Sequence, residues 1–584
     1  MRTSVHLHDL ETIKLKGRSW LGWQTLVWTG LVALLLYSLG IGNHTLWGYH
    51  EPYVGGIIRE MVSNHDFVVP TLNGKPYLEK PPLFYALGAL VCKAFGTFEP
   101  WALRLPSALL AMATSVWVSF MAWRLSSARA AGWAGFTLAT SFLFFEVGHT
   151  AVVDMTLTAA VTFALGLAYL GIVEPAYRNR WLPWFWVALG FTFMAKGVVG
   201  PLMVMAPLSL TLILQRDKFL LRAFLRRNWG MPLALVLVAG WVALLWHRGG
   251  TLFLSEVFLR NTVGRFTQDP NLVPATGSLG EHVEPWYFYL LNTPVNVLPW
   301  FAVWIAALWS AIPRHRHQHL SPRTYFLPLA FACNLAILSF SQAKREVYLL
   351  PVLPLTFLHL ALWLDLRVPK ARRRMDVTLL LVLAITLGLA GLVAASFPWV
   401  LLKEEGFSIG YAIAISLISL SLSAWSVRLL WRREYPRAFG ITMIQWTLFL
   451  SHLLAFGVPA IDRHEWRPLV DPYHHALALR DAGASLACAG LSETQLGHAS
   501  LTLREVLPVV NRLNQLRELL AQATPVAVLV EPHWWERAQA EGIKATVVAT
   551  AASSLPPNRS RRAPVLVINP ALESRLQKMS STIP

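Results

Sequence analysis

The sequence is short of charge. Only 14% of its 584 residues are Asp, Glu, Lys or Arg, whereas 55% are hydrophobic. Its mean hydropathy is +0.46. A soluble chain carries about a quarter charged residues, so this balance excludes an ordinary soluble enzyme and indicates a polytopic membrane protein. Acidic residues are scarcer still, with 32 Asp and Glu against 50 Lys and Arg, a formal charge of +18. In so apolar a chain that excess belongs to cytoplasmic loops, and no nucleic-acid partner is expected. Cysteine is nearly absent. Cys92, Cys333 and Cys488 form no CxxC pair, which excludes a disulfide framework and a zinc knuckle. Neither a Walker A nor a GxGxxG motif occurs, so the sequence offers no loop for a nucleotide phosphate. Internal repeats and low-complexity tracts are missing as well.

What is present is a series of long apolar runs. A span needs roughly 20 apolar residues. Spans are predicted near 24–42, 104–123, 131–148, 152–172, 182–196, 199–215, 231–247, 289–311, 324–340, 348–364, 377–397, 409–427 and 438–457, about thirteen in all. Residues 81–96 open with two prolines and carry Lys93, which suits an interfacial helix better than a span. With that segment lying flat, the arginine-rich connections 124–129, 177–180, 216–227, 313–323, 367–374 and 428–437 all fall on the side of the N-terminus. That regularity puts the N-terminus in the cytoplasm. Lys14, Lys16 and Arg18 before the first run read as the flank of a retained signal anchor. From about 460 the composition turns polar. A helix is expected over 503–523, with strands over 525–531 and 563–569. The expected organisation is a transmembrane catalytic part, 1–459, followed by a small α/β domain, 460–584, on the outer side.

In this orientation the unexpected polar groups sort to the outer side, where cations are normally depleted. His50 and Glu51 ("WGYHEPY") follow the first span. Glu79 and Lys80 ("YLEKPP") precede the interfacial helix, and Arg104 opens the second span. His149 and Asp154 flank the fourth span and Lys196 ends the fifth. Arg260, His282, Lys344 and Arg345 lie in outer loops. Asp154 is about one turn inside its span, where an unpaired carboxylate costs several kcal/mol, so it needs a cationic partner or a cavity. Several of the others have plain readings. Lys196 and Arg104 could snorkel, His149 could cap a helix, and His282 could be solvated loop charge. Taken together, cations, carboxylates and aromatics at a membrane surface suit a lipid phosphate beside a reacting sugar. Lys and Arg hold the phosphate, and a carboxylate or histidine takes a proton.

The stretches "LWGYHEPYVGGIIREMV", "GKPYLEKPPLFY", "ALRLPSAL", "HTAVVDMTLTAAVTFAL", "FTFMAKGVVG" and "AKREVYLLPVLPL" together resemble the membrane-embedded GT-C glycosyltransferases. The nearest branches are the lipid A aminoarabinose transferases and the protein O-mannosyltransferases. The resemblance runs over roughly residues 20–360 in order. It implies an α-helical polytopic GT-C fold with interfacial helices in the first outer loop. It also implies a polyprenyl-phosphate sugar donor and inverting transfer on the periplasmic face of a bacterial inner membrane. Lipid A phosphate is the acceptor most in keeping with it, and a hydroxyl of a protein or envelope glycan is the alternative. A transporter of lipid-linked glycans is the non-enzyme alternative. The resemblance assigns Glu51, His50 and Asp154 to catalysis, and Lys80, Arg104, Lys196, Arg260, Lys344 and Arg345 to the donor phosphate. Tyr53 and Tyr348 would position substrate among the membrane lipids. No cofactor is required, although Glu79 and His282 could share a divalent metal ion.

One departure stands out. The family carries an Asp–Glu pair after a tryptophan in its first outer loop, whereas here Trp47 is followed by His50 and Glu51. Three readings stay open. His50 serves as the base, or Glu51 or Asp154 does, or no strong base is needed because the acceptor is an ionised phosphate.

Overall fold

The computed structural model describes residues 20–226, 228–264, 267, 269–272, 283–311, 322–367, 384–385, 388–389, 391–400, 408–550 and 561–580. Lys14, Lys16, Arg18 and His282 lie outside the described residues, as do 377–383, 386–387 and 390 of the expected span 377–397. The chain divides into two compact units. One comprises 1–39, 78–84 and 107–454, and the other comprises 40–77, 85–106 and 455–584.

Helices α1 (Trp20–Ser38), α2 (Glu51–Asn64), α3 (Leu83–Phe95), α4 (Pro100–Leu125), α5 (Ala128–Ala139), α6 (Phe142–Gly148), α7 (Val153–Val173), α8 (Arg178–Lys196), α9 (Val199–Gln215), α10 (Lys218–Leu225) and α11 (Gly230–Leu254) follow in order. Most lie where apolar runs were expected. Among the described residues, five helices are long and apolar enough to cross a membrane, and seven if each of two bent pairs is one span. One bent pair is α5 with α6, turning by 68°. At its break the Thr140 and Ser141 hydroxyls donate to the carbonyls of Phe136 and Leu138 at 2.8 and 2.9 Å, beside the backbone amides those carbonyls already accept. The expected span 289–311 is two helices, Phe288–Asn296 and Phe301–Ser310. As a 13-residue helix, α3 is about 20 Å long, too short for a hydrocarbon core of about 30 Å. That length agrees with the interfacial reading.

In the larger unit, α7 packs along α8 and is buried almost throughout. Its apolar residues run all round the helix, as expected of a helix enclosed by protein. A π-helical stretch, Ser255–Gly264, follows α11.

The smaller unit holds a five-stranded sheet. Strands β1 (Thr71–Leu72) and β2 (Lys75–Pro76) form a separate hairpin. The sheet contains β3 (Ser485–Ala489), β4 (Val509–Val510), β5 (Val526–Val530), β6 (Thr546–Ala549) and β7 (Val565–Ile568) in the order β4-β3-β5-β7-β6. Contacts β4-β3 and β3-β5 are parallel; those made by β7 are antiparallel. All five residues of β5 are buried, because helices cover both faces. Cys488, Ala527 and Leu529 face one layer with Leu479 and Leu503, while Ala487, Val528 and Val530 face Leu516, Leu520 and Trp535. The expected strands fall in place, but the expected helix 503–523 is shorter, at Leu513–Leu520. Arg504 adopts a left-handed conformation (φ 58°) that ends the preceding helix, and the β4 strand follows Pro508. The apolar spacing across 503–510 belongs to a turn and a strand.

Helix α2 meets the helix Glu493–Leu503 at glycine. A Cβ on Gly497 would lie 2.3 Å from the Pro52 backbone, and one on Gly56 would lie 3.0 Å from the Gly497 Cα. Only glycine permits so close a backbone approach.

Candidate functional site

The smaller unit buries an ion pair beside its first helix. Glu51 opens α2, where its carboxylate meets the positive end of the helix dipole. Arg104 donates to it through Nε at 2.7 Å and Nη2 at 2.8 Å, a bidentate pair. The remaining guanidinium hydrogens go to the carbonyls of Ile41 at 2.9 Å, His44 at 3.2 Å and Thr45 at 2.6 Å. Arg104 is fully buried and Glu51 is 1% exposed. All five donors of Arg104 are thus occupied. Arg104 was expected at the donor phosphate and Glu51 in catalysis; here each is engaged by the other. Both fix the 41–45 loop against α2.

His50 lies just outside this pair and is partly accessible. Its Nδ1 is 2.9 Å from the Tyr53 hydroxyl, and Tyr53 packs on Tyr77 with ring centroids 5.6 Å apart. The Tyr77 hydroxyl donates to Glu493 at 3.2 Å, and Thr494 donates to the Tyr49 carbonyl at 2.9 Å. Asp462 completes the surround. It is fully buried, and its Oδ1 accepts from the Thr45 amide at 3.0 Å, the Thr45 hydroxyl at 2.5 Å and the Trp47 indole at 2.7 Å. Sequence reasoning missed Tyr77, Asp462 and Glu493. The only signal in the sequence was an acidic residue directly after the last apolar run, in "AIDRHEW". On the same helix as Glu493, burial pushes the His498 imidazole down to about 4, opposed by the Glu51 carboxylate and reinforced by His474.

The larger unit holds a second cluster. Asp154, in the first turn of α7, accepts from the Lys196 amine at 2.5 Å. Lys196 ends α8, so each charge sits at the helix end that favours it. The partner that Asp154 required is therefore Lys196. The same amine lies 4.1 Å from the centre of the Tyr348 ring, a cation–π contact. His149 is a buried helix cap whose ring nitrogens meet the carbonyls of Phe145 and Leu36 at 2.8 and 2.9 Å.

Lys80 lies 3.8 Å from Glu79 with its side chain 16% exposed. The adjacent Leu78 carbonyl accepts from Asn261 at 3.4 Å, which ties this segment to the π-helical stretch carrying Arg260. Arg260 itself pairs with Glu256 at 3.2 Å. Lys344 lies in the loop before the 346–352 turn. It is buried, and its amine donates to the carbonyl of Glu284 at 2.6 Å, fixing a loop. Burial lowers its pKa, and Glu284 acts the other way. The Arg345 backbone carbonyl caps the 346–352 turn by accepting from the Tyr348 amide at 3.1 Å. Among the described residues no group of three or more His, Cys, Asp or Glu could hold a metal ion, and Glu79 instead has Lys80 beside it.

The fold has a solved counterpart. Over 95% of this chain and 99% of the other, the structure matches that of ArnT from Cupriavidus metallidurans bound to undecaprenyl phosphate, with a TM-score of 0.73 and 21% identity. The chain shares the fold of ArnT. The family model described as dolichyl-phosphate-mannose-protein mannosyltransferase matches residues 79–246. An undecaprenyl phosphate-alpha-4-amino-4-deoxy-L-arabinose arabinosyl transferase of Pseudomonas fluorescens is 27% identical over 558 residues, covering 90% of this chain and 89% of its own. The enzyme of that description from Pectobacterium atrosepticum is 27% identical over 439 residues, 73% of this chain and 74% of its own. The resemblance read in the sequence is borne out by these likenesses, of which those to aminoarabinose transferases cover more of the chain than the mannosyltransferase model does.

Proposed function

We propose that this chain is an inverting glycosyltransferase that moves 4-amino-4-deoxy-L-arabinose from undecaprenyl phosphate to a phosphate of lipid A. The observation that carries the reading is the ArnT fold over nearly the whole chain, joined to near-full-length similarity to a transferase of that name. Transfer takes place on the periplasmic face of the inner membrane, with the N-terminus cytoplasmic and the α/β part from about 460 periplasmic.

A phosphate oxygen of the acceptor attacks the anomeric carbon. The bond from that carbon to the donor phosphate breaks, and undecaprenyl phosphate leaves with the electron pair. An acceptor phosphate is already ionised, so the attacking atom needs no strong base. This accounts for histidine at position 50, where the family carries aspartate. Lys80, Arg260 and Arg345 neutralise the departing phosphate. Asp154, held by Lys196 and Tyr348, orients the amino sugar or the acceptor. His50, held by Tyr53, positions the acceptor at the first outer loop. No metal ion is required for these steps.

The test is transfer by the purified chain in lipid, with labelled undecaprenyl-phosphate aminoarabinose and lipid A. Lys80→Ala and Asp154→Asn should each lower turnover more than tenfold while the protein still folds. Near-normal activity in both variants would refute the assignment.

A further inference from the structure

Within the smaller unit a cavity of about 500 Å³ opens between the 97–100 turn, the 45–46 loop and the helices Asp471–Asp481 and Glu493–Leu503. Its size falls in the range of small-ligand sites, about 300–1,000 Å³. None of the residues assigned above to donor or acceptor lines it.

Its walls combine two kinds of surface. Phe98, Pro100 and Leu501 offer apolar faces, whereas Arg504, His498 and Glu99 offer polar groups. Arg480, also in the wall, is already engaged. It donates to Asp481 at 2.8 and 3.1 Å and to the Leu503 carbonyl at 2.6 Å, so that pair is neutral. Arg504 is different: it is exposed, and among the described residues its guanidinium makes no ion pair or hydrogen bond. The His498 ring packs on Tyr473 with centroids 5.6 Å apart, and its nitrogens likewise have no hydrogen-bond partner among the described residues. Tyr473, 1% exposed, has a hydroxyl without a partner in the same group. A guanidinium and an imidazole with unused donors suit a phosphate. A carboxylate beside an aromatic face suits sugar hydroxyls and the C–H side of the ring.

The cavity also reaches the loop that supports the buried ion pair. Thr45 lines it, and the Thr45 carbonyl accepts from Arg104, which holds Glu51. A ligand resting on Thr45 would thus bear on the support of α2 and His50.

We propose that this cavity binds a phosphorylated sugar, the headgroup chemistry of the acceptor, at a subsite built by the α/β part of the chain. The inference rests on the proposed transfer to a phosphate-bearing glycolipid and adds to it a place where the acceptor is recognised.

The experiment is calorimetric titration of the full-length protein in detergent with a soluble bisphosphorylated glucosamine disaccharide. The unphosphorylated disaccharide and inorganic phosphate are the other two arms. Arg504→Gln removes the unpaired cation, and Thr502→Trp fills the cavity without touching that charge. The expected result is saturable binding of the phosphorylated disaccharide that weakens at least tenfold in both variants, with undecaprenyl phosphate binding unchanged. Equal binding of inorganic phosphate, equal binding of the neutral disaccharide, no saturable binding, or affinity indifferent to both variants would each overturn the inference. Saturable, variant-sensitive binding without sugar transfer would uphold the cavity and count against the transfer reading instead.

Discussion

Arg104 donates only to protein acceptors. A buried guanidinium with all five donors used holds a loop in place, and losing one partner leaves an uncompensated charge. Breaking such a buried pair costs roughly 3–5 kcal/mol. Glu51→Gln and Arg104→Gln should therefore lower the unfolding midpoint sharply, as measured by thermal denaturation in detergent, and should not act as clean active-site variants. The sequence placed Arg104 and Glu51 near each other only by sorting them to one side, and spacing cannot count donors. It did read Asp154 as a carboxylate needing a cation, because burial near a helix start is costly whatever the fold. It could not reach Glu493 or Asp462, which meet Tyr77 and Thr45 across more than 400 residues. The cysteines supply a simpler test. Cys92 and Cys488 are buried, and burial pushes their thiols up to about 12 and about 11. Neither should react with maleimide at pH 7.5 until the protein is unfolded, as mass spectrometry would show.

Among the elements, the pairing of α2 with the helix Glu493–Leu503 does most to organise the smaller unit. Gly497→Ala places a methyl against the Pro52 backbone, and overpacking of this kind costs typically 1–3 kcal/mol. It should lower the unfolding midpoint, and a variant as stable as wild type would show that the helices can separate at no cost. The same helix carries His498, whose pKa falls from an ordinary 6.5 to about 4 on folding. The unfolded state then binds the proton more readily. Stability from this group is fully present above pH 6.5 and is lost as pH falls from 6.5 toward 4. His498→Gln should flatten the pH dependence of the unfolding midpoint over that window. Apolar patterning located the helices well, since their lengths and composition follow from the need to bond every backbone group in lipid. It misjudged 503–523, where Pro508 and a left-handed Arg504 interrupt a spacing that otherwise resembles a helix.

For the whole molecule, a unit described mainly as helices and a unit with a five-stranded sheet share one chain, and the segment 40–106 contributes to both units. The sequence division at 459/460 followed composition, which reports the polarity of each stretch and not its packing partners. The α/β part, expected as a domain of its own, packs in the structure against α2, the first helix after α1. The central claim about the molecule is that its acceptor is a phosphate. The most direct measurement is transfer of labelled aminoarabinose from undecaprenyl phosphate to intact lipid A and to enzymatically dephosphorylated lipid A, by wild type and by His50→Asp. Transfer is expected only to the phosphate-bearing acceptor, with His50→Asp within a few-fold of wild type. Equal transfer to the dephosphorylated lipid, or strong stimulation by aspartate at position 50, would contradict it and point to a hydroxyl acceptor.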